Sequence, residues 1–174
     1  MADKDICFFL IPAAPLYSAL SALIEKLAAE EGAVPFMPHV TLYVGAASET
    51  EVADIAARIV AQFSSVELAF EKIDYTPQFY KTLFLQFGES TEARAISDVI
   101  RASCRQASNY RLNPHLSLLY KTMPREAQAR RAQALAVPAG PYRFDGFRVV
   151  ETPKAESNEA VRGWRTAFDG RLRN

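Results

Sequence analysis

The sequence predicts an α+β fold of two duplicated lobes related by a pseudo-twofold axis, with antiparallel sheets facing a central cleft and helices outside. Three observations predict it. A strand, helix, strand, helix, strand order is legible in the first half of the chain and begins again in the second. The only two histidines share one short pattern, Pro38-His39-Val40-Thr41-Leu42 and Pro114-His115-Leu116-Ser117-Leu118. Each histidine also stands 31 residues after the middle of an opening strand, at Phe8 and at Phe84. Two repeats are fewer than a solenoid needs, so two similar α+β lobes are the natural architecture.

Ile6 to Ile11 reads as a buried strand, stopped by Pro12 and Pro15. Leu16, Leu20, Leu23, Ile24 and Leu27 then recur at helical spacing, and Gly32 ends that helix. Val40 to Val44 reads as a short strand, Glu49 to Gln62 as a helix with Val52, Ile55, Ala56 and Ile59 on one face, and Val66 to Phe70 as one alternating strand. The second series comprises a strand at Thr82 to Phe87 and a helix capped by Ser90 or Thr91 and running to about Arg105. A strand at Leu116 to Tyr120, a helix opened by Pro124 and a strand at Tyr142 to Val150 follow. Thr152 to Asn158 reads as a loop, and Arg162 to Phe168 as a final strand carrying the single Trp164. The lobes divide near residue 76, into 1–76 and 77–174, with the C-terminal strand able to cross between them.

With 174 residues, 49% of them hydrophobic, the chain can bury a core of its own, and a monomer is expected. Twenty basic side chains balance twenty acidic ones, so no global positive field holds a long nucleic acid, and a small phosphorylated ligand fits better. The start Met1-Ala2-Asp3-Lys4-Asp5 is charged, and the apolar run that follows is too short and too early for a secretory signal. No stretch is long enough to cross a bilayer, so a cytoplasmic protein without a membrane partner is expected. Cys7 and Cys104 form no CxxC or Cys/His cluster and are read as packing residues. Two histidines without an acidic third ligand make a poor metal set, so no metal or other cofactor is expected.

On a strand, alternate side chains share a face, so His39 pairs with Thr41 and His115 with Ser117, while Val40, Leu42, Leu116 and Leu118 face helices. One histidine after a proline is more often structural than catalytic. Duplication reverses that balance, because a core strand is better served by Val or Ile than by His and Thr. Two imidazoles can take opposite sides of a phosphorus atom as base and acid, while two hydroxyls hold its non-bridging oxygens.

At these residues the sequence resembles the two-histidine phosphoesterase superfamily, whose signature is a pair of His-x-Thr/Ser motifs on duplicated lobes. Pro-His-Leu-Ser-Leu-Leu-Tyr is similar to the plant and yeast cyclic phosphodiesterase branch, which opens ADP-ribose 1″,2″-cyclic phosphate and nucleoside 2′,3′-cyclic phosphates. The resemblance implies a metal-independent cyclic phosphodiesterase with a small cyclic-phosphate nucleotide as substrate. It makes His39 and His115 the catalytic pair, Thr41 and Ser117 the phosphate ligands, and Tyr120 a pocket-lining aromatic. By analogy, His115 activates water and His39 protonates the leaving oxygen. Phe9 stands where the plant enzymes carry a stacking tryptophan.

Other candidates are peripheral. Tyr43, four residues after His39, is in phase with it and either lines the pocket or packs. Phe79, Tyr80 and Lys81 precede the second opening strand, where Tyr80 either stacks on a base or packs, and Lys81 either meets a second phosphate or is solvated. Arg125, Arg130 and Arg131 read as a solvated face, and Arg111, shortly before His115, is a further candidate to reach substrate. Two competing functions remain open at this level: processing of RNA ends that carry a 2′,3′-cyclic phosphate, and a module that binds a nucleotide or phosphate without turning it over.

Overall fold

The computed structural model describes residues 4–174, so Met1 to Asp3 of the charged start lie outside them. The chain runs β1 (Lys4–Pro12), α1 (Leu16–Glu31), β2 (Val40–Gly45), α2 (Glu49–Gln62), β3 (Val66–Leu68) and β4 (Phe70–Asp74). It continues with β5 (Leu83–Phe87), α3 (Thr91–Ser103), β6 (His115–Leu119), α4 (Arg125–Ala134), β7 (Tyr142–Pro153), α5 (Asn158–Arg162) and β8 (Arg165–Arg171). No helix among the described residues is long and apolar enough to cross a membrane.

The helices form where apolar spacing and end chemistry agree. Leu16, Leu20, Ile24 and Leu27 make the buried stripe of α1, and Gly32 closes it at φ 65°, in the left-handed region where a Cβ would be strained. Ser48 and Glu51 form a reciprocal capping box at the start of α2, and Ser90 accepts from the Ala93 N–H at the start of α3.

Among the described residues, eight strands join one antiparallel sheet in the order β3-β7-β1-β2-β6-β5-β4, with β8 also paired to β7. The motif strands β2 and β6 meet at its centre through a single residue pair, Val40 with Leu116. The long helices tie this seam crosswise: α1 packs against β6 and α3 against β2. Where a longer ladder would have satisfied the β2 carbonyls, side chains do so. Tyr110 donates to the Thr41 carbonyl at 3.0 Å, Ser97 to that of Leu42 at 2.6 Å and Ser108 to that of Val44 at 2.5 Å.

Both motif strands carry a bulge at the third residue after the histidine. Phe9 pairs with Thr41 and Phe8 with Tyr43, which leaves Leu42 without a partner on β1. Phe84 pairs with Ser117 and Leu83 with Leu119, which leaves Leu118 without one on β5. The extra residue reverses the alternation, so Leu42 and Tyr43 are both buried in the main core, as are Leu118 and Leu119. These pairings also make Phe9, not Phe8, the counterpart of Phe84.

Three segments depart from the sequence reading. Val66 to Phe70 is not one strand: it breaks at Ala69, with β3 on β7 at one end of the sheet path and β4 on β5 at the other. Continuous alternation cannot distinguish one strand from two ladders meeting at a corner. The loop expected at Thr152 to Asn158 is shorter, because β7 extends to Pro153 and α5 begins at Asn158. Arg162 ends α5, and the final strand starts at Arg165, which leaves Trp164 in the connection.

Ser97 is 2% exposed, and its bond to the Leu42 carbonyl satisfies a bulge residue across the seam. Ser97→Ala should therefore lower the unfolding free energy by about 1–2 kcal/mol, measured by urea denaturation. Unchanged stability would show that this bond does not hold the seam.

Candidate functional site

In each motif the proline lies between the histidine and the carbonyl that holds it. The Nδ1 atom of His39 lies 2.7 Å from the carbonyl oxygen of Met37, and that of His115 lies 2.7 Å from the carbonyl oxygen of Asn113. Proline restricts its own φ and disfavours helical backbone in the residue before it, so the chain enters each strand in a constrained path. A carbonyl can only accept. Each Nδ1 therefore carries the proton, and each neutral ring presents an unprotonated Nε2.

The two rings line one pocket of about 480 Å³ together with Thr41 and Ser117. His39 is 5% exposed, and its ring is stacked on Phe9 with centroids 3.9 Å apart. His115 is partly exposed and meets the edge of Phe84 at 5.5 Å. The Tyr120 hydroxyl is 3.4 Å from His39 Nε2 and donates to it when the ring is neutral. Ser117 donates to the Tyr80 carbonyl at 2.8 Å, so a bound phosphoryl oxygen would take that proton from Tyr80.

Burial sets the electrostatics. It pushes the pKa of His39 down to about 4, chiefly by desolvation and further through the His115 and Arg148 charges, against the bond to Met37, which raises it. Burial likewise pushes His115 down to about 4, with Lys81 lowering it further and the bond to Asn113 opposing. Both rings are therefore neutral at pH 7 when the pocket is empty. Cys7 also lines the pocket, but burial raises its thiol to about 12 and removes it as a nucleophile at neutral pH. Among the described residues no three His, Cys, Asp or Glu side chains are grouped to hold a metal ion.

The structure brings His39, His115, Thr41, Ser117, Tyr120, Tyr80 and Phe9 together in the pocket. Phe9 gives its face to His39 and forms the wall behind it. Tyr43 is not there: the bulge at Leu42 turns it into the core, fully buried against Phe8 and Tyr110. The same shift after Ser117 explains why Tyr120, five residues after His115, lies in the pocket while Leu119 does not. Lys81 is outside the lining, with its ammonium 4.6 Å from the centre of the Phe84 ring.

Sequence reasoning missed several lining residues. Trp164 lies edge-on to His39 at 5.6 Å, and behind the lining Phe36 is stacked on Tyr120 at 3.6 Å. Asp5, Thr152, Lys154, Ala155 and Glu156 add to the rim, with Lys154 paired to Asp5 at 3.8 Å and the Tyr80 hydroxyl bonded to the Ala155 carbonyl. No local motif marks these positions. Those from Thr152 to Trp164 arrive because β7 lies beside β1 and carries the connection to β8 over the pocket. The one available signal was Trp164, a lone tryptophan in a polar segment.

Comparisons with known proteins bear on the family and the fold. A family model described as the 2′-5′ RNA ligase superfamily matches residues 17–156, a span that includes both histidine motifs. No curated protein sequence matches the chain. Among solved structures, TT0787 of Thermus thermophilus superposes with a TM-score of 0.60 at 17% identity, covering 98% of each chain. LigT of E. coli, solved in complex with 3′-AMP, gives a TM-score of 0.58 at 15% identity over 98% of this chain and 99% of its own. A further structure, described only as a phosphoesterase, gives 0.59 at 15% identity over 99% and 100%. With the family model spanning both motifs and the fold shared end to end, the chain belongs to the 2′-5′ RNA ligase superfamily of two-histidine phosphoesterases.

Proposed function

We propose that the protein hydrolyses small cyclic phosphodiesters, nucleoside 2′,3′-cyclic phosphates or ADP-ribose 1″,2″-cyclic phosphate, by paired-histidine acid and base catalysis without a metal. One observation carries the reading: two imidazoles, each held through Nδ1 by the carbonyl two residues upstream, line one pocket with a hydroxyl beside each. In the reaction, water attacks phosphorus and the bond to one sugar oxygen breaks. One neutral Nε2 takes the proton of water, and one protonated Nε2 supplies a proton to the departing oxygen, giving a phosphomonoester. The greater exposure of His115 supports its assignment to water, and the enclosure of His39 supports its assignment to the leaving oxygen. Thr41 and Ser117 supply hydrogen bonds to the phosphoryl oxygens.

The rest of the lining supports a small substrate over a polyanion. Its other charged groups are Asp5, Lys154 and Glu156, two acids and one base, which would repel a continued phosphate backbone. Tyr80, Tyr120 and Trp164 offer aromatic surface for a base. That LigT has been solved with 3′-AMP and with phosphate is in keeping with a nucleotide ligand here.

Turnover of the cyclic phosphates above, assayed in chelator, should proceed with wild-type protein. His39→Ala and His115→Ala should each lower kcat by at least about a hundredfold, and Ser117→Ala by on the order of a hundredfold. Binding of every substrate with no product would point instead to a module that captures nucleotides without reaction.

The pH dependence has a definite sign. Catalysis needs one ring protonated and one neutral, and in the free protein both rings lose their protons above about pH 4. Hence kcat/KM should fall as pH rises through neutrality. In the complex the phosphate anion favours the imidazolium, so kcat should persist to higher pH than kcat/KM. A kcat/KM that rises from pH 5 to pH 8 would contradict this mechanism.

A further inference from the structure

Behind His39 lies a cation that the mechanism does not use. Arg148 of β7 is the cross-strand partner of Phe9, the residue stacked on the His39 ring. Its Nη1 donates to the Met37 sulfur at 3.1 Å, and Met37 supplies the carbonyl that takes the His39 Nδ1 proton. Its Nη2 donates to Asp169 of β8 at 2.8 Å. The Nε atom is buried with no hydrogen-bond partner. A guanidinium left incompletely satisfied is costly, and an apolar side chain would fill this site on the sheet at less expense.

We propose that Arg148 is a positioning residue for His39: it braces the two residues that hold the ring and keeps a permanent cation beside it. Its functional weight rests on the phosphodiesterase reading, since it matters to catalysis only if His39 transfers a proton. A nearby cation disfavours the imidazolium, so Arg148 biases His39 toward giving up its proton, the property required of the group that protonates a leaving oxygen. The bias is graded by Asp169, which neutralises part of the guanidinium charge.

The surroundings isolate this effect. His39 is faced by His115 at the start of β6 and by Tyr120 just after it, from β1 by Phe9 and the neutral thiol of Cys7, and from the connection before β8 by Trp164. Lys154 is paired with Asp5 at the rim, where Glu156 also lies. Asp145 and Arg171, which line the same cavity as Arg148 and Asp169, neutralise each other as an ion pair at 2.7 Å. His115 feels a different cation, Lys81, and not Arg148.

The two signs of charge give the test. Imidazole ¹⁵N shifts report the protonated fraction of each ring at pH 5 in the free protein, without any assay of turnover, and His115→Gln assigns the two histidines. Removing the cation in Arg148→Gln should raise the protonated fraction of His39 by about threefold, equivalent to half a pH unit. Releasing it in Asp169→Asn should lower that fraction by about threefold, and Arg148→Lys, which keeps the charge, should stay near wild type. His115 should be unmoved throughout. Shifts of the same sign in Arg148→Gln and Asp169→Asn, Arg148→Lys behaving as Arg148→Gln, or no shift at His39 would overturn the proposal. If Arg148→Gln does not fold, Asp169→Asn decides alone: a lower fraction supports the proposal and an unchanged one ends it. Absence of turnover in the wild type would sink the phosphodiesterase reading and leave this titration standing.

Discussion

A carbonyl oxygen accepts hydrogen bonds and never donates them, and the site depends on that asymmetry. In both motifs the carbonyl two residues before the histidine takes the Nδ1 proton, and a proline stands between the two groups. The tautomer is therefore set by backbone, on either side of the pocket, with no carboxylate involved. An Asp or Glu in that place would stabilise the imidazolium and hold the proton. A neutral carbonyl in a buried setting opposes desolvation only in part, so the pKa of both rings falls to about 4. Both neutral rings then present Nε2 as acceptors, and the charge of a bound phosphate decides which of them is protonated.

The placement of the rings follows from the sheet. A seam of one residue pair would not hold two halves of a sheet, and the structure compensates with helices that pack across it and with side chains that satisfy the β2 carbonyls. The short seam leaves the motif strands free to present their polar faces to one space. A bulge at the same place in each strand, Leu42 and Leu118, then returns the following residues to the core. The histidine, the hydroxyl and the residue five positions after the histidine stay on the pocket side, and the residue between goes under it. The near-symmetry ends with the histidines' surroundings: His39 is enclosed by Phe9, Phe36 and Trp164, while His115 keeps an edge contact with Phe84 and partial exposure.

Much of this was legible before any coordinates. The histidine pair, its hydroxyls and the α2 helix boundaries could be read directly, because proline, alternation and helical spacing act locally. Tyr43 could not, since a bulge has no signature in Thr41-Leu42-Tyr43 and alternation alone sends Tyr43 to the wrong face. Ala69 looks like any residue in an alternating strand, yet the chain there leaves one end of the sheet and joins the other. Trp164 and Arg148 reach the site through pairings between distant segments, above all β1 with β7. Such pairings are set by the packing of the whole core and leave no local mark.

The most direct test of this account is the tautomeric state of the two rings, read from imidazole ¹⁵N shifts in the free protein at pH 7. The account predicts that both histidines are neutral, with the proton on Nδ1 and Nε2 bare toward the pocket. A proton on Nε2 in either ring, or a ring that is charged at that pH, would contradict the claim that buried backbone carbonyls prepare the pair for proton transfer.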